Sequence, residues 1–325
     1  MFQRSLFVLF VSFLSDVGNA AQLVPLTQPI VAPQSQETIA SPKPEPVKAA
    51  VIKPGVNKPS DINSCESQAN KPPAPTGIAP QAETNLLELL PHRATYSITL
   101  DKNYYDEDIA DAKGQMTIQL AKAGDGWAIE QKSTLHIYYK DETAEQVITT
   151  LATYESMDGL KYNFNVHTLR ADQEEIISGD AILASKGGAG IVTYQQPDES
   201  TIQLPVGTIF PTQHLIYMLQ AAMRGQKVIS NIVFDGSSET HEPVQVDTVL
   251  GASQDPKLAL TNKDLLHAKK VWPMQMAIYA ADSTAPEADY EINQNVLDRG
   301  VIRDMTLDYG TFKVKAVLNQ VEVFS

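Results

Sequence analysis

The chain of 325 residues has a single cysteine, Cys65, so no internal disulfide staples it and its fold must stand on buried apolar surface. Two readings are left for Cys65: an incidental thiol in a tolerant segment, or an intermolecular disulfide. Basic charge is scarce as well, with 25 Lys and Arg against 39 Asp and Glu, a net −14. A surface of that sign repels phosphate backbones and anionic head groups, which disfavours nucleic acid and passive docking on anionic lipid. A basic partner, or plain solubility, fits it better. Gly-x-Ser-x-Gly elbows, Gly-rich phosphate loops and dinucleotide fingerprints are missing too, which removes the commonest signatures of acyl, phosphoryl and hydride transfer.

What is present begins with an export signal. Met1 to Ala20 carries Arg4, then an apolar run from Ser5 to Leu14, then Gly18-Asn19-Ala20, whose small residues suit cleavage between Ala20 and Ala21. The apolar run is too short to span a bilayer as a helix, and no Cys-containing lipobox follows it. The expectation is a cleaved signal at 1–20 and a periplasmic protein, with an uncleaved N-terminal anchor as the alternative. Residues 21–85 follow as a Pro-rich linker. Gln22 to Asn85 holds 12 of the 20 prolines and cannot bury enough surface to offset its ordering entropy, so it reads as disordered. Steps such as Pro42-Lys43-Pro44-Glu45-Pro46 favour polyproline II, which makes an extended spacer. Its five Lys and five acids cancel, so the net charge belongs to the body at 86–325.

That body alternates. Tyr96, Ile98 and Leu100, then Met116, Ile118 and Leu120, then Trp127 and Ile129 recur at every second position, the mark of strands with one buried face. Lys113-Gly114, Gly124-Asp125-Gly126, Asp158-Gly159, Gly187-Gly188 and Pro197-Asp198 punctuate the runs, and short runs between short turns predict a mostly antiparallel meander. Phe210 to Gly225 breaks the pattern and predicts one helix, with Pro211 in the first turn and Gly225 at the stop. Its Leu215, Met218, Leu219 and Ala222 share a face that reads as a plug on the sheet, or else as the wall of a site for an apolar ligand. Asp298-Arg299-Gly300 reads as a hairpin turn whose glycine takes positive φ. The fold class expected is all-β with one helix, a sheet of about fourteen strands that must curl or close.

Side chains that could carry chemistry are sparse. The six histidines, at 92, 136, 167, 214, 241 and 267, lack zinc-ligand spacing, so no metal is expected. Asp101, Asp106, Glu107, Asp108 and Asp111 are dense but lack the pattern of a calcium loop, and read as a solvated hairpin tip. Asp304 and Asp308 could serve as a glycosidase pair only if the strand curved strongly, since four residues rise roughly 13 Å. Hairpin-flanking charges, with Arg303 pairing across to a carboxylate, explain the same residues structurally.

Five strings in order complete the reading: Leu90-Pro91-His92-Arg93-Ala94-Thr95-Tyr96, Phe210-Pro211-Thr212-Gln213-His214, Phe234-Asp235-Gly236-Ser237, Val271-Trp272-Pro273, and Gly300 to Gly310. Together they resemble the EipB family of cell-envelope integrity proteins, over about Leu89 to Phe324. The resemblance implies an antiparallel β-spiral of about fourteen strands with one helix, loosely like periplasmic carriers. It implies a non-enzymatic role, no cofactor, and periplasmic tetratricopeptide-repeat proteins as partners; a carrier of a lipid or lipoprotein acyl chain is the alternative. Many members of the family pair two cysteines, whereas Gly124-Asp125-Gly126-Trp127 and Val323-Phe324-Ser325 here contain none. Closure of the spiral is therefore expected to rest on hydrogen bonds and packing.

Overall fold

The computed structural model describes residues 87–324 apart from 103–107, 172, 238–241, 257–267, 281–282, 284 and 309–311. The signal, with Ala20 and Ala21, the Pro-rich linker and Cys65 lie outside the described residues.

Alternating residues become strands wherever one face can be buried. The first half contributes β1 His92–Leu100, β2 Ile109–Ala123, β3 Gly126–Tyr139, β4 Ala144–Ser156, β5 Lys161–Arg170, β6 Gln173–Leu183, β7 Gly190–Gln196 and β8 Ser200–Leu204. The short β9 Thr208–Ile209 and the helix α1 Pro211–Met223 follow. The second half adds β10 Val228–Val233, β11 Val244–Leu250, β12 Val271–Ala280, β13 Tyr290–Leu297, β14 Ile302–Asp308 and β15 Lys313–Val323. All fifteen strands form one sheet in the order β8-β7-β6-β5-β4-β3-β2-β1-β15-β14-β13-β12-β11-β10-β9.

This order puts the ends of the chain in the middle of the sheet, where β1 and β15 pair from His92↔Val323 to Leu100↔Val314. The sheet's two ends, β8 and β9, are then close in sequence, separated by Pro205, Val206 and Gly207. A sheet of this length cannot stay flat, and the result is a nearly closed spiral. Fifteen strands and one helix agree with the expectation of about fourteen strands; β9, with two residues, is too short for alternation to show. The sheet is mostly antiparallel, as expected; β9 alone pairs parallel, with β10.

Helix α1 lies inside the spiral, with nine of its 13 residues buried. It stops two residues before the expected Gly225. Arg224 takes the C-cap, and Gly225, at φ +74, donates its N–H to Ala222 O at 3.0 Å. A residue just past the helix in the left-handed region is the usual role of such a glycine. At the opposite corner Gly300 has φ +91, and a Cβ there would come within 2.8 Å of Leu89 Cδ2.

The interior divides into two clusters. The larger lies under β1–β3, α1 and β11–β15; the smaller gathers Tyr162, Phe164, Tyr194, Phe210 and Phe234 with aliphatic neighbours from β4–β8. Tyr162 stacks on Phe210 with centroids 5.1 Å apart, and Phe164 meets Phe234 edge-on at 5.7 Å. Tyr162 and Phe164 belong to β5, near one end of the sheet, while Phe210 and Phe234 flank α1 and β10 at the other. The rings thus tie the two ends together, each such contact adding about 0.5–1.5 kcal/mol to the burial of its area.

Gly236 is built into this joint, with φ +76 and an imagined Cβ only 2.4 Å from Phe164 Cγ. Backbone strain and a ring wedged among other rings leave no inexpensive relaxation. Gly236→Ala is expected to lower stability by roughly 2–4 kcal/mol in urea titration; a loss below about 0.5 kcal/mol, ordinary for a surface substitution, would refute the joint.

Candidate functional site

The face singled out on α1 is core. Leu215, Met218, Leu219 and Ala222 are all buried, the most exposed at 7%. Leu215 and Leu219 lie against Gly300, and Met218 meets the Thr248 hydroxyl of β11. Beside this face is a cavity with about 20 Å³ open to a water-sized sphere, lined by His92, Tyr96, Ile118, Leu120, Ile129, Leu215, Gly300 and Ile302. That volume suits one water and falls far below the roughly 300 Å³ at which sites for drug-sized ligands begin.

Phe210 at the N-cap has no side-chain oxygen to offer the helix's first N–H groups. Glu155, at the end of β4, substitutes for it from across the spiral. Thr212 N–H donates to its Oε2 at 2.7 Å and Gln213 N–H to its Oε1 at 2.9 Å, so both carboxylate oxygens are engaged. The helix dipole favours this charge, but the site is closed to water, with Glu155 only 3% exposed. Burial pushes its carboxyl up to about 7, opposed by the two N–H groups and by the charge of Lys186. Lys186, on the β6–β7 corner, also stands over the ring of Tyr217 on α1 at 5.9 Å.

Glu155 is the register partner of Tyr162, whose hydroxyl donates to Asp235 O at 3.0 Å. Asp235 in turn accepts from Ser237 N–H at 2.9 Å, which shapes the turn after β10. One corner of the sheet, β4–β5, therefore holds both the N-terminus of α1 and the exit of β10. Sequence reading missed Glu155, although a signal existed: it shares the inward parity of Val147, Thr149 and Leu151.

The remaining candidates resolve into structural contacts. His214 is buried, and burial pushes its imidazole down to about 4, so it is neutral near pH 7. His92 is also pushed down by burial, and its Nδ1 lies 2.7 Å from Leu90 O, which assigns the ring proton to that nitrogen. Asp304 is held by Arg303 at 2.6 Å and by Asn295 at 2.6 Å, while Asp308 pairs with Lys313. Arg303 thus pairs with its sequence neighbour rather than across the ladder. In the acidic hairpin Asp101 pairs with Lys315 and Asp111 accepts from Ala112 N–H, whereas Asp106 and Glu107 lie outside the described residues, as do His241 and His267.

Glu155 and His214 leave opposite marks on stability. A carboxyl raised on folding contributes stability that is present below its unfolded value of 4.5 and lost as pH rises through about 7. A histidine lowered from 6.5 to about 4 contributes stability that is present above 6.5 and lost as pH falls through 4. Comparing the parent with Glu155→Gln cancels the second. The parent is expected to lose on the order of 3 kcal/mol relative to the variant between about pH 4.5 and pH 8, and parallel profiles in chemical denaturation would contradict the assignment.

Comparison with known proteins follows the same contours. The EipB-like family model matches residues 83–325. The cell envelope integrity protein EipB of Brucella abortus (strain 2308) is 28% identical over 246 residues, covering 73% of this chain and 85% of the relative. A crystal structure of a beta-barrel-like protein of a domain of unknown function from Brucella abortus aligns with a TM-score of 0.67 at 26% identity, over 74% of this chain and all of that one. Four of the five strings fall at the joints just described, with Phe210 and Phe234 in the ring cluster, Gly300 against Leu89, and Ile302 O accepting from Tyr96 Oη at 2.9 Å. With the family model matching from the first described strand to the last, the chain belongs to the EipB-like family.

Proposed function

We propose that this chain is an exported, non-enzymatic periplasmic protein that supports the integrity of the cell envelope by binding an envelope protein partner through its outer surface. The observation that carries the reading is the match to a relative named for cell-envelope integrity, over 85% of that relative's length. The packing of α1 supports surface recognition over carriage of an acyl chain, because the helix face that would line a berth is filled by Leu89, Thr248 and the β13–β14 corner. A tetratricopeptide-repeat protein is the partner class that the family resemblance suggests.

Depletion of the protein in its native host tests the role. Cells are expected to become sensitive to detergents and bile salts, and to recover when the parent chain is restored. Crosslinking in the periplasm is expected to yield one enriched envelope protein in the same cells. An unchanged envelope after complete depletion would overturn the role, and stoichiometric lipid extracted without a protein partner would replace scaffold with carrier.

A further inference from the structure

The net charge of −14 argues against anionic surfaces only if it is evenly spread, and the topology segregates it. In an antiparallel meander alternate corners lie on opposite rims. The corners β3–β4, β5–β6 and β7–β8 share one rim, where Asp141, Glu142, Glu174, Asp198 and Glu199 are exposed. The corners β2–β3, β4–β5, β6–β7, β8–β9, β11–β12 and β13–β14 share the other, together with the α1–β10 turn, whose Lys227 O accepts from Leu250 N–H at the end of β11. Helix α1 plugs this rim, with Gly159 beside Gln213, Lys186 over Tyr217 and Gly300 beside Leu215.

The helix rim carries exposed Lys186, Arg224, Lys227, Lys269 and Lys270, and none of these has a carboxylate within ion-pair distance among the described residues. Of the acids on this rim, Glu88 pairs with Lys122, Asp125 accepts from Tyr154 Oη, Asp158 from Ser156 Oγ and Leu160 N–H, and Asp298 from Lys269 N–H, while Asp255 is exposed at the β11–β12 corner. The same rim gathers exposed apolar side chains. Seven of the nine exposed large apolar residues lie at its corners or within two residues of them, among them Val206 at 71%, Val228 at 63%, Val249 at 52% and Met223 at 45%. Val228 and Val249 are register partners. Met223 to Val228 is a continuous exposed stretch, Met-Arg-Gly-Gln-Lys-Val. Gly207, next to Val206, donates its N–H to Gly187 O at 3.0 Å, which brings that turn beside Lys186.

Cations with no carboxylate in ion-pair range among the described residues, interleaved with exposed apolar side chains on one rim, and a cluster of exposed acids on the rim opposite, match an anionic bilayer surface in both charge and chemistry. The geometry points to peripheral docking of the helix rim on anionic lipid head groups, with Met223, Val228, Val249 and Val206 entering the interface and the acidic rim facing away. This runs against the expectation drawn from net charge alone. It goes beyond the protein-binding reading and does not depend on it.

Co-sedimentation of the mature full-length chain with phosphatidylcholine vesicles containing about a third phosphatidylglycerol tests the inference. The parent is expected to sediment with these vesicles, to remain in solution with pure phosphatidylcholine, and to be released by salt. Arg224→Glu with Lys227→Glu is expected to weaken binding at least about tenfold, in line with an electrostatic contribution from each cation near the surface. Val228→Ser, which removes apolar surface and no charge, should weaken it without altering the salt dependence. Glu142→Lys on the opposite rim should leave it unchanged. All four positions are exposed, and unchanged thermal unfolding of each variant separates binding from folding. No sedimentation of the parent, equal binding by the double variant, or capture of an acidic protein by the rim without vesicle binding would overturn the inference.

Discussion

A single sheet of fifteen strands has two ends, and everything else in this molecule depends on packing them together without a disulfide. The chain solves half the problem by pairing its own first and last strands, so that β1 and β15 knit the middle of the sheet. The other half falls on the β4–β5 corner. There Glu155 and Tyr162, facing each other in register, reach across to α1 and to the turn after β10. A buried carboxylate is an expensive anchor on its own, and its two N–H donors and the helix dipole offset that cost. The stacked rings beside it add a contribution that does not depend on ionisation.

That arrangement gives the family strings a physical meaning. Phe210 supplies a ring and Pro211 starts the helix where a missing N–H costs nothing. Asp235 and Gly236 shape the turn on which Tyr162 and Phe164 close. Gly300 lets Leu89, Leu215 and Leu219 approach one corner. These residues hold the spiral shut, and a solved structure at only 26% identity aligns with the same architecture.

Much of this was legible in the sequence. Alternation located most of the strands, because residues such as Tyr96, Ile98 and Met116 have one buried and one wet side. The helix and its plugging face were legible for the same reason at a different period. The ring cluster was not, since Tyr162 and Phe234 are 72 positions apart and only the curl of the sheet brings them within 6.5 Å. Glu155 was hidden by its charge: parity placed it inward, but a lone inward acid reads as an error until a helix terminus appears above it. The uneven distribution of charge was hidden by averaging, because net charge says nothing about which hairpin corner holds which residue.

The most direct measurement is hydrogen exchange on a Glu155→Ala variant beside the parent chain. If the β4–β5 corner clasps the far end of the spiral, amides of α1 and β10 lose protection by several orders of magnitude while those of β1–β3 and β15 keep theirs. Uniform loss across the sheet, or protection of α1 equal to that of the parent, would show that closure is held elsewhere and would contradict the account.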